Sequence, residues 1–331
     1  MNLQNRIEVM AVLGEYLQKN NEEWQTVKQT ATQKNPWFTE EFINKATEAI
    51  TNQFLNKEKL INWCSHYHLD DLITPKNIGI VMAGNIPMVG FHDFLSVFIS
   101  GHTQTVKLSS KDDILMPHLI QKIGEWAQES KNRIIIAQQL KGCDAYIATG
   151  GNQSAVYFEQ YFSKYPNIIR KNRTSVAILS GSETDEELKN LAEDIQSYFG
   201  LGCRNVTKIY VPENYDFIPF LNSFKSFNHF REHHKYSNNY DYQLSILLLN
   251  NIKYMSNENL LLVEDEKIFS PISVLHYEFY QNRDKTIEKL NKNDEIQCIV
   301  GSNQIQFGQS QNPDLFSYAD GIDTLEFLLS L

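Results

Sequence analysis

The sequence has few cysteines, and none is paired by spacing. Cys64, Cys143, Cys203 and Cys298 are scattered through 331 residues with no C-x-x-C among them, which excludes a zinc knuckle and a disulfide framework. Basic residues are in the minority: 30 Lys and Arg against 40 Asp and Glu leave a formal net charge of −10. A general nucleic-acid binder needs a basic footprint, so that class is set aside, while a local basic pocket for a phosphate-bearing cofactor is not. No apolar run approaches the roughly 20 residues of a membrane span. The start, MNLQNRIEVMAVLGEYL, lacks the charged n-region, apolar core and small-residue cleavage site of a secretory signal. A cytoplasmic protein with no membrane span is expected. No repeat or low-complexity stretch is evident. His229 and His233 stand four apart, but no glutamate completes an H-E-x-x-H; they read as a solvated or packed face, and no metal site is expected.

What is present is 42% hydrophobic residues, enough core for one large or two ordinary domains. Residues 3–66 read as helical throughout. Ile7, Val12, Leu13 and Leu17 form one stripe, and Phe38, Phe42, Ile43 and Ala46 another, with Thr39 as an N-cap before Glu40 and Glu41. From residue 77 the pattern changes to strand–helix alternation. IGIVMA (78–83) is a continuous apolar run, as in a strand buried on both faces. A helix over 90–100, a strand over 103–108, a helix over 112–128, strands over 133–137 and 145–148, a helix over 153–162, and strands over 168–170 and 175–179 follow. Such alternation predicts an α/β fold: a parallel sheet with helices on both faces, behind a helical lead-in. Helices over 217–224 and 230–249, strands over 260–263, 272–276 and 296–300, and a short helix from about residue 322 make up the rest. The polar SGSETD run places the domain change near Gly181, between residues 1–180 and residues 181–331 with the tail.

The stretch EELKNLAEDIQSYFGLGCRNVTKIYVP (186–212) is the focus of the second half. Leu188, Leu191, Ile195 and Phe199 recur at helical spacing, so residues 186–199 read as an amphipathic helix ended by Gly200 and Gly202. Cys203 follows, then a short strand over 206–211 stopped by Pro212. A cysteine in such a turn can be held rigidly with its sulfur facing a cleft; a buried structural thiol is the alternative.

Three segments precede Cys203 in order: GNIP (84–87) after the first core strand, GHTQTVKLSS (101–110) carrying Lys107, and ATGG (148–151) leading into a helix. KIFSPISVL (267–275) follows it. In this order the motifs resemble the aldehyde dehydrogenase superfamily, with its N-F-P loop, G-N-T-V-V-x-K-P-S strand, T-G-S turn, catalytic cysteine and E-I-F-G-P-V segment. The resemblance covers roughly residues 77 to 280. Within the superfamily, KLSS in place of K-P-S-E, RKNRTSVAIL (170–179), the acidic helix before G-C and the YADG-D tail look like the bacterial long-chain acyl-CoA reductases, which include the fatty-acid reductase subunit of bioluminescence systems.

The resemblance implies an aldehyde-dehydrogenase-like fold and a set of roles. Cys203 is the nucleophile, and Asn85 is an oxyanion donor together with the Cys203 backbone N–H. Lys107 meets the adenosine ribose. Ser109 follows as a further cofactor-binding residue, and Ser110, where many NAD-linked members carry a glutamate, would tolerate or attract a 2′-phosphate with Lys111 beside it, so NADPH is expected in preference to NADH. Gly150 and Gly151 open a helix whose amides meet the pyrophosphate, although the spacing is not G-x-G-x-x-G. Two positions depart from the family. Ile169 stands where hydrolytic members carry a glutamate base, so water activation is not expected. Lys267 stands where a glutamate holds the nicotinamide ribose. The implied reaction is reduction of a fatty acyl thioester, on coenzyme A or an acyl carrier protein, to the aldehyde. An acyl-phosphate reductase and a non-catalytic acyl-carrier or protein-binding relative are the alternatives. The chain is shorter than most members, which implies that the usual oligomerisation arm is absent; a homo-oligomer remains open.

Overall fold

The structure, a computed structural model, describes residues 1–69 and 74–331. The chain divides into two compact units, residues 1–172 with 313–331, and residues 173–312.

The first unit opens with α1 (Leu3–Lys19), α2 (Glu22–Lys34), α3 (Glu40–Ala49) and α4 (Lys57–Ser65). Each starts on a short polar side chain that accepts a first-turn amide: Asn2, Asn21, Thr39 and Asn56. Ile7, Met10, Leu13 and Leu17 form the buried stripe of α1. Val12, expected in that stripe, is 40% exposed. Five residues from Ile7 carry it roughly 140° around the helix, and Met10 takes its place.

Strand–helix alternation follows: β1 (Asn77–Val81), α5 (Phe91–Ser100), β2 (Thr103–Lys107), α6 (Leu115–Trp126), β3 (Ile134–Ile136), β4 (Ala145–Thr149), α7 (Asn152–Phe162) and β5 (Asn167–Arg170). Among the described residues the strands form a sheet of order β3-β2-β1-β4-β5, parallel throughout. β1 is central, with Ile78 and Ile80 buried. Val81 at its end is level with Lys107 of β2 and Ala148 of β4, so the loops that leave β1, β2 and β4 emerge together. The order reverses at β1, the place where ligands bind in open parallel sheets.

The second unit contains β6 (Thr174–Ile178), α8 (Asp185–Gln196), β7 (Val206–Pro212), α9 (Phe217–Asn222), a 3-10 stretch (Ser223–Glu232), α10 (His234–Leu249), β8 (Met255–Ser256), β9 (Leu261–Glu264), β10 (Val274–Tyr280), α11 (Arg283–Asn291) and β11 (Ile296–Gly301). Its sheet has the order β11-β6-β7-β10-β9-β8, parallel except for the β8–β9 pair. Two expectations are corrected here. β6 was assigned to the first sheet, but it pairs with β7 and β11, so the division falls after Asn172 rather than near Gly181. α11 is not foreshadowed in the sequence, because RDKTIEKLN buries Leu290 alone and so lacks an apolar stripe.

The tail returns to the first unit, where α12 (Thr324–Leu329) lies; it was expected with the second. Polar side chains of the first unit hold it. The buried Arg170 guanidinium pairs with Asp93 of α5 and donates to Thr324 Oγ1 at 2.8 Å. The Trp63 indole donates to Tyr318 Oη at 2.8 Å. His102 Nε2 donates to the Leu328 carbonyl at 2.9 Å. Among the described residues no helix is long and apolar enough to cross a membrane.

Candidate active site

The helix before Cys203 is specified at its start by a capping box. Thr184 Oγ1 accepts the Glu187 amide at 3.2 Å, and the Glu187 carboxylate accepts the Thr184 amide at 2.8 Å. Leu188, Leu191, Ala192 and Ile195 bury its apolar face. It ends at Gln196, three residues before the sequence pattern suggested. Tyr198 (φ 54°), Phe199 (φ 55°) and Gly200 (φ 75°) then run left-handed in succession. For a non-glycine residue that conformation costs roughly 1–2 kcal/mol. Burial offsets the cost: both aromatic residues are sequestered, and the Phe199 ring packs 4.6 Å from Phe230, 4.6 Å from His233 and 5.5 Å from Tyr236. His233 also caps α10 by accepting the Tyr236 amide. His229 lies in the 3-10 stretch with Nδ1 on the Ser226 carbonyl, so the two histidines do not share one α-helical face. Among the described residues no group of three or more His, Cys, Asp or Glu is placed to hold a metal ion.

Asn205, fully buried two residues after the cysteine, is the fastener of this turn. Its Nδ2 donates to the carbonyls of Ser197 (2.7 Å), Asp194 (3.1 Å) and Ile195 (3.2 Å), and its Oδ1 accepts the Gly202 amide at 2.8 Å. One side chain thus satisfies carbonyls that the end of α8 leaves without helical partners, and it lessens the negative potential they would project toward the thiol. Buried Asp194 accepts the amides of Gly308 (2.6 Å) and Ser310 (3.0 Å), closing the turn from the other side. Cys203 is half-buried, whereas Cys64, Cys143 and Cys298 are buried. Burial pushes the Cys64 thiol up to about 11 and raises Cys143 and Cys298 as well, so those three stay protonated near neutral pH.

Beyond the cysteine, β7 and β10 grip the segment that resembles E-I-F-G-P. Three consecutive carbonyls are each bonded by a side chain. Lys208 Nζ donates to Glu266 (2.9 Å), His276 Nδ1 to Lys267 (3.0 Å) and Thr207 Oγ1 to Ile268 (2.8 Å). A carbonyl can only accept, so the His276 proton sits on Nδ1; burial holds its pKa below the usual value and keeps the ring neutral. Lys208 is fully buried and also meets the Glu278 carboxylate at 2.5 Å. The Lys267 side chain is exposed.

In the first unit the loops that follow β1 and β2 are built against one another. A Cβ on Gly84 would stand 2.5 Å from Ser109 Oγ, so glycine is what lets the β1 loop press on the β2 loop. Asp112 fixes the same contact: its carboxylate accepts the amide of Met88, which is left-handed at φ 54°, at 2.7 Å. Burial pushes Asp112 up to about 6, against the hydrogen bonds from Met88, Leu115 and Met116 amides that favour its charge. Asn85 is half-buried in this loop. Lys107 and Ser110 are exposed at the end of β2, and Ser109 Oγ accepts the Lys111 amide at 3.3 Å. Gly150 is held by packing, since a Cβ there would meet Phe158 and Ser154 at 2.9 Å, and its amide donates to the Arg170 carbonyl at 3.3 Å. Gly151 is exposed, a Cβ there would meet nothing within 4 Å, and no side chain caps the first turn of α7. A helix start without a side-chain cap, with open space before it and at the edge where the strand order reverses, fits a dinucleotide pyrophosphate.

Asn205, Asp112, Lys208 and His276 were not singled out from the sequence. Lys208 and His276 had a usable signal, a polar residue inside an apolar strand. Asp112 had none, because it stands as an ordinary polar first residue of the helix expected over 112–128.

No family model matches this chain, and no curated protein matches it. Solved structures do. It is similar to aldehyde dehydrogenase 21 from Physcomitrella patens, determined in complex with the reaction product succinate: TM-score 0.69 and 14% identity over 91% of this chain and 74% of that one. It is similar to a Mycobacterium tuberculosis aldehyde dehydrogenase complexed with NAD+, at TM-score 0.64 and 12% identity over 87% and 70%. The NAD-dependent aldehyde dehydrogenase of Sinorhizobium meliloti gives TM-score 0.64 and 10% identity over 94% and 72%. The chain therefore has the aldehyde dehydrogenase fold.

Proposed function

We propose that the protein reduces a fatty acyl thioester, carried on coenzyme A or an acyl carrier protein, to the aldehyde with NADPH, through an acyl-enzyme on Cys203. The observation that carries this reading is the cysteine itself. Of four thiols it alone is half-buried, and it follows a strained left-handed turn that the protein stabilises with buried aromatics and Asn205. Strain maintained in this way is characteristic of functional sites.

In this reading the Cys203 sulfur forms a bond to the thioester carbonyl carbon, the bond to the coenzyme A sulfur breaks, and coenzyme A leaves as its thiolate. The negative charge on the carbonyl oxygen is assigned to the Asn85 amide and the Cys203 N–H, a contribution of a few kcal/mol. When bound, a reduced nicotinamide would supply a hydride to the acyl carbon on Cys203, giving a thiohemiacetal anion on the cysteine. Its collapse regenerates the Cys203 thiolate and frees the aldehyde. Ile169, matched to the hydrolytic glutamate, lies within β5 and offers no base for water, which favours reduction over hydrolysis. Lys107, Ser109, Ser110, Gly151 and the first turn of α7 are assigned to the cofactor. NADPH is preferred because Ser110 and Lys111 bring no carboxylate to the end of β2. The two that follow are engaged elsewhere, Asp112 at Met88 and Asp113 with Lys34 at 2.5 Å. Four free thiols suit a reducing, cytoplasmic setting.

Acyl-CoA without NADPH should leave one acyl group on the protein, and peptide mass spectrometry should place it on Cys203. NADPH oxidation measured across acyl-CoA chain lengths then defines the substrate, with an acyl phosphate as the comparison. Acylation of another cysteine, or full activity in Cys203→Ala, would leave the binding-protein alternative as the better account.

A further inference from the structure

The two peptide planes that flank the Cys203 Cα are each held by a hydrogen bond. On one side the Gly202 carbonyl accepts the Asn205 amide at 3.1 Å. On the other the Cys203 carbonyl accepts the Ser175 hydroxyl at 3.1 Å. Peptide groups are planar, so fixing both fixes φ and ψ of Cys203, and with them the direction of its Cα–Cβ bond. Ser175 lies on β6, fully buried, and its Oγ is also 3.0 Å from the Sγ of buried Cys298 on β11. A carbonyl can only accept, so the one hydroxyl proton of Ser175 goes to Cys203, and the Cys298 S–H is left to donate to Ser175. The result is a directed chain from a buried thiol through a hydroxyl to the backbone of the cysteine turn. Links of such a chain polarise and strengthen one another. Burial raises the Cys298 pKa, against the pull of the Arg204 guanidinium, which keeps the donor proton in place.

We propose that Ser175, supported by Cys298, is a positioning residue for the Cys203 nucleophile. It fixes the Cys203–Arg204 peptide and so aims the thiol at a thioester carbonyl. This rests on the reading of Cys203 as the nucleophile. Attack on a carbonyl is directional and sensitive to about 1 Å of misplacement. Alkylation by a small, freely diffusing reagent is not.

The test compares two reactions of the same sulfur in the full chain without cofactor: acylation by a long-chain acyl-CoA, and alkylation by iodoacetamide, both followed by peptide mass spectrometry. Ser175→Ala is expected to slow acylation of Cys203 about tenfold or more, while alkylation changes by less than about threefold and the thermal midpoint shifts by a few degrees at most. Equal slowing of both reactions, or no slowing of either, overturns the proposal. If Ser175→Ala fails to fold, Cys298→Ala removes the supporting donor alone and should give the same split at a smaller size. Cys298→Ser, which restores an O–H donor, should recover the wild-type acylation rate; loss in Cys298→Ala that Cys298→Ser does not recover also overturns it. Wild-type protein whose Cys203 is alkylated but never acylated overturns the thioester reading itself, and the role of Ser175 with it.

Discussion

Asn205→Ala tests how much of the cysteine turn depends on one side chain. The substitution removes the acceptor for Gly202 N–H and the two amide protons that are shared among three carbonyls at the end of α8. At about 1 kcal/mol net for each of three hydrogen bonds, the direct loss is about 3 kcal/mol. The partners are buried and lose their bonds without gaining water, which brings the expected loss to about 3–5 kcal/mol. That is a large part of the roughly 5–15 kcal/mol that holds a typical domain folded. Asn205→Asp makes a sharper comparison. It keeps the acceptor for Gly202 but sets a carboxylate against carbonyl oxygens, so its pKa in the folded protein must rise. A raised carboxyl pKa means stability is present at low pH and is lost as pH rises through that pKa. Asn205→Asp should therefore be less stable than Asn205→Ala at pH 7 and should recover relative to it toward pH 4. Urea unfolding followed by fluorescence at several pH values measures both. A loss under about 1 kcal/mol in Asn205→Ala, or an Asp variant whose deficit does not change with pH, would refute the reasoning.

The remaining predictions concern the first unit. Asn85→Ala should lower turnover about 10²-fold if its amide serves the oxyanion, with unfolding nearly unchanged; unaltered turnover removes Asn85 from the mechanism. Ser110→Glu should weaken NADPH binding more than NADH binding, because it sets a carboxylate near the 2′-phosphate, and tighter binding of NADH than NADPH by the wild type, read by fluorescence titration, contradicts the cofactor assignment. Asp112, pushed up to about 6 from an ordinary 3.8, contributes stability that is present below its unfolded pKa and lost as pH rises through 6. Asp112→Asn should thus gain stability relative to wild type between pH 4 and 7, by up to about 3 kcal/mol, and a difference that is flat across that range shows that Asp112 does not titrate there.

The alternation of apolar runs with helical stripes made the α/β class legible from residue 77 onward, because each run is short, β-branched and bounded by glycine or polar turns. Strand partners were not legible. TSVAI in β6 is buried on both faces and would suit the centre of either parallel sheet, so chain order alone assigned it to the wrong one. The end of α8 was misjudged for a related reason. Tyr198 and Phe199 continue an apolar helical spacing, and nothing local says that two aromatic residues will turn left-handed. That conformation exists because Phe230, His233 and Tyr236, some thirty residues later, provide a cavity for the Phe199 ring.

The site divides along the same line. Cys203 could be found from glycine, cysteine and strand in sequence, since those types act locally. Its supports could not, because each works through a backbone group of another segment: Asn205 through carbonyls of α8, Ser175 through the Cys203 carbonyl, and Thr207, Lys208 and His276 through carbonyls 266–268. The last three nonetheless left a trace. VTKIYV and VLHYEF place a hydroxyl, an ammonium and an imidazole in mostly apolar strands, and a buried polar group must find a partner or cost several kcal/mol. Here the partners are three successive carbonyls of one segment beside the strand that begins three residues after Cys203. Polar residues that interrupt a buried strand next to a candidate nucleophile therefore mark the backbone that the site holds in place.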